Sequence, residues 1–243
     1  MDKSIYLVGG SKGGVGKTMV SMALVDYLIN RGNAIALVEC DTANPDMYKA
    51  YKDIVQVELI NLDEHDGWIQ LVNLCDAEPN KDIIINTAAR SNEGIAAYGS
   101  ILLNALEELG RKLCAMWVIN RQRDSVELLR RYMQAMPGSI IHVVKNGHFG
   151  PEKKFELYDN SNVRKEVDGI GGGSLMFPDL ADRVADDLYI KRLSIQEAAK
   201  QLPLGNRAEL QRWREEVRKC FDGVIAATRT DAEHELVENE HSI

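Results

Sequence analysis

The sequence predicts an α/β fold, a doubly wound and mainly parallel sheet with helices on both faces. Apolar runs of strand length alternate with amphipathic stretches of helix length over residues 1–150. One apolar run, residues 82–86, contains three consecutive isoleucines, which is typical of a strand buried on both faces. Such an alternation aligns the strands in parallel and places the connecting helices above and below them.

The elements follow one another in a regular order. Each predicted strand is a short apolar run bounded by turn residues, and the strands are residues 4–8, 34–40, 57–61, 82–86, 113–119, 139–144 and 175–177. Each predicted helix carries apolar residues three or four positions apart, and the helices are residues 17–31, 66–76, 93–110, 125–136, 180–190, 195–202 and 207–227. The polar segment 147–173 predicts a mobile loop that contains one short helix.

Composition limits the class of protein. The chain has 243 residues, of which 45% are hydrophobic, and a net charge of −8, which excludes disorder of the whole chain. No run approaches the roughly 18 apolar residues that a membrane-spanning helix needs. We expect one domain over residues 1–228 and a solvated tail over residues 229–243, which contain five acidic residues and one basic residue.

Cysteine usage indicates a reducing compartment. The four cysteines are far apart and form no CxxC pair; they are Cys40, Cys75, Cys114 and Cys220. Scattered thiols of this kind are typical of buried residues in a cytoplasmic protein. We therefore expect a cytoplasmic location.

A glycine-rich loop joins the first predicted strand to the first predicted helix. It reads Gly-Gly-Ser-Lys-Gly-Gly-Val-Gly-Lys-Thr over residues 9–18. Glycines let consecutive backbone N–H groups turn towards phosphate oxygens, and a helix N-terminus adds partial positive charge. Lys17 then pairs with the β- and γ-phosphates, and the Thr18 hydroxyl ligates Mg²⁺. The alternative is a glycine-rich turn without a ligand.

Residues 12–18, Lys-Gly-Gly-Val-Gly-Lys-Thr, resemble the deviant Walker A motif of the MinD/ParA ATPases. The resemblance implies a P-loop ATPase that binds ATP and Mg²⁺, with a loop formed by Gly13, Gly14, Val15, Gly16, Lys17, Thr18 and Met19. Lys12 matches the family's signature lysine, which reaches the partner's nucleotide across a sandwich dimer, so an ATP-dependent homodimer is implied. The alternative for Lys12 is a solvated loop lysine.

The carboxyl ends of two later strands supply further candidates. Residues 37–41 resemble the family's strand that ends in Asp-x-Asp, with Glu39 at the first aspartate and Asp41 at the second. We expect Asp41 to orient the attacking water and to contribute to the Mg²⁺ site; the alternative is a turn cap. Residues 82–86 resemble the Walker B strand but end in Asn86 where the family has aspartate. An amide orients water without supplying charge, so we expect weaker Mg²⁺ binding or slower turnover, with the γ-phosphate switch at residues 87–94.

The family reads adenine with an asparagine at the end of a later strand. Asn120 and Asn146 both match, and Asn146 occupies the expected strand, whereas Asn120 also suits a helix cap. Residues 177–179 resemble the segment whose backbone lines the base, which implicates Pro178. The resemblance therefore implies that Asn146 and Pro178 bind the adenine.

The layout is most similar to ParA-like plasmid partition ATPases and to TraL-like accessory ATPases of conjugative transfer. This similarity implies a switch in DNA partition, positioning or transfer that acts on a protein partner or cargo adaptor. The acidic C-terminus disfavours MinD-type membrane binding, and the unpaired cysteines disfavour metal- or cluster-handling relatives. The alternatives are a nucleotide-dependent scaffold with little hydrolysis and a metal-site maturation ATPase.

Two basic stretches raise the hypothesis of non-specific DNA contact. The alternative is that these are solvated helix faces. Trp213, among the arginines of the second stretch, is either a partner contact or a core anchor of its helix. The basic residues are Arg111, Lys112, Arg121, Arg123, Arg130 and Arg131 in one stretch and Arg207, Arg212, Arg214, Arg218 and Lys219 in the other.

Overall fold

The structure is a computed structural model that describes residues 3–10 and 13–240, with side chains up to residue 225. The described strands are β1 (Ser4–Gly10), β2 (Ile35–Glu39), β3 (Gln56–Leu59), β4 (Asp82–Asn86), β5 (Lys112–Ile119), β6 (Ile140–Asn146) and β7 (Gly173–Phe177). The described helices are α1 (Lys17–Asn30), α2 (Asp46–Tyr51), α3 (His65–Ala77), α4 (Asn92–Tyr98), α5 (Ser100–Leu109), α6 (Arg123–Ala135), α7 (Glu156–Asp159), α8 (Asn162–Gly169), α9 (Asp182–Lys191), α10 (Ile195–Gln201) and α11 (Leu204–Glu240).

All seven strands form one sheet in the order β3-β2-β4-β1-β5-β6-β7. Every neighbouring pair is parallel. Side chains alternate between two apolar clusters, so Tyr6 and Val8 of β1 face one cluster and Ile5 and Leu7 face the other. The predicted parallel α/β sheet with helices on both faces is confirmed.

The carboxyl end of β1 lies in the middle of the sheet. In the register, Val8 pairs with Asn86 of β4, and Gly10 pairs with Val118 of β5. A Cβ on Gly9 would lie 2.8 Å from the ring of Trp117, so only glycine allows β1 to end this close to that side chain. The glycines at this end therefore serve packing as well as the loop that follows.

Residues 147–173 differ from the predicted mobile loop. They contain two 3₁₀ helices (Gly147–Phe149 and Glu152–Phe155), followed by α7 and α8. Phe155 and Tyr158 are buried in the same apolar cluster as Val163 and Val167. The spacings of three and four residues give these short helices an apolar face, so the loop prediction was wrong because this periodicity was missed in a polar segment.

Two helix boundaries also differ from the prediction. The single helix predicted over residues 93–110 is divided into α4 and α5 at Gly99, where a Cβ would collide with the sulfur of Met136. Helix α11 continues to Glu240, past the predicted domain end at residue 228. After Gly223 the helix contains neither glycine nor proline to interrupt it. Residues 241–243 lie outside the described part, and the division into domain and tail stays a prediction.

Among the described residues, none of the helices combines the length and the apolarity needed to cross a bilayer.

Arg111 is a structural residue between β5 and α3. Its guanidinium donates to the backbone oxygens of Lys81 at 2.7 Å and Cys75 at 3.1 Å, and also to that of Glu78. It is 6% exposed. A positive charge next to the last carbonyls of a helix satisfies acceptors that the helix itself leaves open. Arg111 is therefore not available to a DNA backbone.

We expect the substitution Arg111→Met to lower the free energy of unfolding by about 3 kcal/mol, because three backbone oxygens lose a charged donor. Urea denaturation followed by circular dichroism measures the change. Arg130→Met, on the exposed side of α6, is the matched control and should stay within about 0.5 kcal/mol of the parent. Equal losses in both variants would contradict the assignment.

Candidate nucleotide site

The loop between β1 and α1 has the backbone geometry of an anion cradle. Gly14 and Gly16 have φ angles of 74° and 104°, a region that glycine adopts without strain. Gly16 is the N-cap of α1, and because it has no side chain it does not cap the N–H groups of the first turn. Open N–H groups at a helix N-terminus attract phosphate oxygens.

Lys17, the first residue of α1, is 8% exposed. Burial lowers the pKa of its ammonium group below the usual value, and the nearby Asp41 carboxylate raises that pKa. A buried cation at a helix N-terminus gains energy from an added anion, because both the ammonium and the helix dipole attract it. Thr18 follows, half-buried, in the same first turn.

Asn146 holds this loop from the end of β6. Its Nδ2 donates to the Val15 oxygen at 2.9 Å, and its Oδ1 accepts from the His148 backbone N–H at 3.1 Å. A Cβ on Gly16 would collide with the same Nδ2. The asparagine amide therefore occupies the space that the missing side chain of Gly16 leaves open.

A cavity of about 270 Å³ opens beside this contact. Gly14, Gly16 and Met19 line one side, and Asn146 and Pro178 line the other. The structure thus brings together the residues that the sequence predicts for the loop and those that it predicts for the base. Their roles towards a ligand stay predictions.

Sequence reasoning missed other residues around this cavity. His148 lies at the rim, with 3.4 Å between its Nδ1 and the Oδ1 of Asp179, the last residue of the predicted segment 177–179. Asp182, Asp186 and Tyr189 of α9 add to the lining. His148 could have been found because it follows Asn146 by two positions at the same strand end. The α9 residues carry no signal of their own in the sequence.

Asn120, the alternative base-reading asparagine, has a different setting. Its Oδ1 accepts from the Gln122 backbone N–H at 2.9 Å and from the Ser125 hydroxyl at 2.8 Å. These bonds organise the turn before α6, and Asn120 does not line the cavity. The N-cap of α6 is Gln122, so Asn120 forms an Asx turn before the helix and is not the helix cap given as the alternative.

Asp41 lies just beyond the carboxyl end of β2. Its Oδ1 accepts from the Asn44 backbone N–H at 2.9 Å, as in a turn cap, while its charge also acts on Lys17. The capping bond and the proximity to Lys17 are compatible, because a carboxylate accepts several hydrogen bonds. Its catalytic role stays a prediction.

Glu39 and Asn86 end neighbouring strands and are bonded to each other. The Asn86 Nδ2 donates to the Glu39 Oε1 at 3.0 Å, and the Asn86 Oδ1 accepts from the Ser21 hydroxyl at 2.9 Å. Both ends of the Asn86 amide therefore have protein partners. The side chain of Asn86 thus links α1 to β2 through Ser21 and Glu39.

The loop after β4 touches the glycine-rich loop. A Cβ on Gly13 would lie 3.6 Å from the Cβ of Ala89, within the predicted switch segment. Thr87 fixes the start of this segment, since its hydroxyl donates to the Val8 oxygen at 2.9 Å. Ser11 and Lys12 lie outside the described residues, so the dimer role of Lys12 stays a prediction.

Most described arginines of the terminal helix are engaged in ion pairs. Arg212 pairs with Glu209 and Glu216 at 2.7 Å each, and Arg214 pairs with Asp26 at 2.8 Å. Trp213 is fully buried and donates to the Pro178 oxygen at 2.9 Å. The alternative interpretations therefore apply here: paired arginines on a helix face, and Trp213 as a core anchor.

Comparison with known families supplies an independent observation. The family described as the CobQ/CobB/MinD/ParA nucleotide binding domain (CbiA) matches residues 6–147. This range runs from β1 to just past Asn146 and contains the glycine-rich loop, Asp41 and Asn86. The chain belongs to the CobQ/CobB/MinD/ParA family. The predicted resemblance to the MinD/ParA family is thereby confirmed.

Individual proteins are also similar to this chain. The chain is 62% identical to Protein MobD of Acidithiobacillus ferrooxidans over 225 residues, which are 93% of this chain and 99% of that protein. It is 24% identical to Protein TraL of Escherichia coli over 159 residues, or 60% of this chain and 64% of that protein. The MinD cell division protein of Aquifex aeolicus superposes with a TM-score of 0.52 at 15% identity, covering 86% of this chain and 95% of MinD, which supports the fold.

The contact between Gly16 and Asn146 yields a prediction. We expect Gly16→Ala to lower the free energy of unfolding by about 3 kcal/mol, because the new methyl group meets the Asn146 amide at a backbone angle that alanine resists. Gly14→Ala also has a positive φ but meets nothing within 4 Å, so about 1 kcal/mol is expected. Thermal and urea unfolding without nucleotide measure both values.

The double variant Gly16→Ala/Asn146→Ala identifies the source of the loss. It should be more stable than the sum of the two single changes predicts, because removal of the Asn146 amide makes room for the methyl group. Strict additivity would show that the two residues do not compete for the same space.

Proposed function

We propose that this MinD/ParA-family protein is an Mg-ATP-binding and slowly hydrolysing ATPase that forms a homodimer across the nucleotide. It acts as a switch in DNA partition, positioning or conjugative transfer. The observation that carries the proposal is the buried Lys17 at the open N-terminus of α1, whose ammonium group interacts electrostatically with the Asp41 carboxylate. The family membership and the base-sized cavity support the same ligand class.

Binding follows from the geometry of the loop. The N–H groups around Gly14 and Gly16 and the Lys17 ammonium take the phosphates, and the cavity beside Met19 and Asn146 takes the base. The residues fit a divalent cation as well, because Thr18 presents a hydroxyl in the same turn and Asp41 supplies a carboxylate nearby. Bound Mg²⁺ neutralises phosphate charge and fixes the orientation of the phosphates.

Hydrolysis is assigned to Asp41. Its carboxylate accepts a hydrogen bond from the attacking water and aligns it with the γ-phosphorus, while Lys17 stabilises the charge that develops on the phosphate oxygens. Phosphate departure removes the ligand that the loop after β4 senses through its contact with the glycine-rich loop. ATP hydrolysis then sets how long the protein stays associated with its partners.

The cellular process is inferred from similarity. The chain layout resembles TraL-like accessory ATPases of conjugative transfer, and the identities to MobD and TraL support that branch over the membrane- and metal-associated ones. In such a process the ATP-bound dimer would engage a protein partner or cargo adaptor. Exposed bases of α6, such as Arg130 and Arg131, remain available for weak DNA contact.

A second candidate function is a nucleotide-dependent scaffold that scarcely hydrolyses. The observation that favours it is Asn86, an uncharged residue at the Walker B position whose amide is already bonded at both ends. Phosphate release per hour from the purified protein separates the two functions. Release that is abolished by Asp41→Ala excludes the scaffold.

Substitution of the proposed catalytic carboxylate tests hydrolysis. We expect Asp41→Asn to lower kcat at least about 100-fold while the Kd for ATP changes less than about threefold, because the amide keeps the loop bond but orients water poorly. Asp53→Asn, an exposed carboxylate in the turn after α2, is the control and should leave both constants unchanged. Equal turnover in the Asp41 variant and the parent would refute the assignment.

Nucleotide-dependent dimerisation is tested by size. We expect light scattering to give about twice the monomer mass with ATP, and the monomer mass with ADP or with the variant Lys12→Ala in ATP. Lys153→Ala, an exposed lysine away from the loop, should dimerise as the parent does. A monomer in both nucleotides, or a dimer that is indifferent to nucleotide and to Lys12, would exclude the sandwich dimer.

A further inference from the structure

A hydrogen-bonded chain of side chains joins three elements beside the phosphate loop. Ser21 of α1 donates to Asn86 of β4 at 2.9 Å, and Asn86 donates to Glu39 of β2 at 3.0 Å. Ser21 and Glu39 are completely buried, and Asn86 is 3% exposed. The strand register pairs Glu39 directly with Asn86. These three polar side chains are thus shielded from solvent inside the core.

Glu39 also holds the loop that carries Asp41. Its Oε1 accepts from the Asp41 backbone N–H at 3.0 Å, and its Oε2 accepts from the Met47 backbone N–H at 3.0 Å. These two amides bracket the turn between β2 and α2. One carboxylate therefore ties both ends of the turn to the end of β2, which fixes where the Asp41 side chain can lie.

The types of residue in this group are matched. Asn86 must accept from Ser21 and donate to Glu39, and an amide does both with its two ends. An aspartate at position 86 accepts from Ser21 but has no N–H for Glu39, so two buried carboxylates would face each other at about 3 Å. With glutamate at position 39, the asparagine is the complementary residue at position 86.

We propose that Glu39 is the positioning residue for Asp41 and that Asn86 is its matched partner, so that the two departures from the family pattern are one compensated change. The role of Glu39 in turnover rests on the proposed hydrolysis by Asp41. The matching of Glu39 with Asn86 does not, because it concerns the folded chain without nucleotide.

The proposal predicts an unusual response to restoration of the family residue. Asn86→Asp, which restores the Walker B aspartate, should destabilise the folded protein and should not speed up turnover. In Glu39→Gln, the glutamine oxygen should keep the Oε1 position, where Asn86 and the Asp41 N–H both donate, and the glutamine nitrogen should take the Oε2 position, where it cannot accept from the Met47 N–H. The turn is then held at one end only. In the double variant Glu39→Gln/Asn86→Asp, the glutamine amide turns over so that its N–H donates to the new carboxylate. The bond between the strands and the bond to the Met47 N–H are rebuilt, and the Asp41 N–H loses its acceptor.

The experiment measures stability and turnover for the parent, both single variants and the double variant. Without nucleotide, we expect the unfolding equilibrium constant to rise about 100-fold in Asn86→Asp and less than about 10-fold in the double variant. With ATP, we expect kcat to fall at least about 10-fold in Glu39→Gln and in the double variant, with Kd within about threefold. Amide hydrogen exchange should be faster at Met47 in Glu39→Gln and faster at Asp41 in the double variant, because these are the N–H groups that lose their acceptor.

Each outcome supports or overturns the proposal. If Asn86→Asp does not fold, a folded double variant supports the matched pair, and a double variant that also fails to fold overturns it. Additive stability losses, or an Asn86→Asp variant with faster turnover than the parent, overturn the matching. Parent-like kcat in Glu39→Gln overturns the positioning role. A parent protein that neither binds nor hydrolyses ATP would overturn the proposed function. The stability measurements without nucleotide would still show whether Glu39 and Asn86 are matched.

Glu58→Gln is the matched control for Glu39→Gln. Glu58 lies on the edge strand β3, where it is exposed and bonded only to Gln56 among the described side chains. The same chemical change there should leave stability, Kd and kcat at the parent values.

Discussion

The arrangement of the site depends on the central position of β1, which pairs with β4 on one side and with β5 on the other. Because all these strands are parallel, their carboxyl ends meet at one edge of the sheet, and the first turn of α1 rises from the middle of that edge. Asp41, Asn86 and Asn146 come from distant parts of the sequence but lie at or just after the ends of β2, β4 and β6, at the same edge. The sheet therefore brings the residues of the site together without a ligand.

Burial of charge is the second constraint on this edge. Lys17, Glu39 and Lys145 are each less than a tenth exposed, so each needs nearby polar or charged groups to offset lost hydration. Burial raises the pKa of Glu39, and hydrogen bonds from Asp41, Asn86 and Met47 oppose that rise. The Lys145 ammonium lies 2.6 Å from Glu152 and 3.3 Å from Asp159. The site is polar inside a core that is otherwise apolar.

Local patterns in the sequence predicted the parallel sheet and the glycine-rich loop because each has a short-range signature. A run of three isoleucines marks β4, and a glycine-lysine-threonine sequence marks the start of α1. The segment 147–173 was misjudged because its four buried apolar residues are diluted by charged ones. The partners of Arg111 and Asn86 could not be predicted, because the contacts of Arg111 with Lys81 and of Asn86 with Glu39 join residues 30 and 47 positions apart, whose proximity only the sheet order determines.

The adjacent residues Lys145 and Asn146 connect two regions that the chain order separates. Successive side chains of a strand point to opposite faces, so Asn146 contacts the glycine-rich loop while Lys145 pairs with Glu152 and Asp159 on the other face. The lining of the cavity and the packed segment after β6 are thus anchored to adjacent residues of one strand end. If ligand binding and packing of the segment both require an ordered strand end, thermodynamic linkage makes the effect reciprocal: loosening the segment weakens ligand binding by the same free energy with which the ligand stabilises the segment.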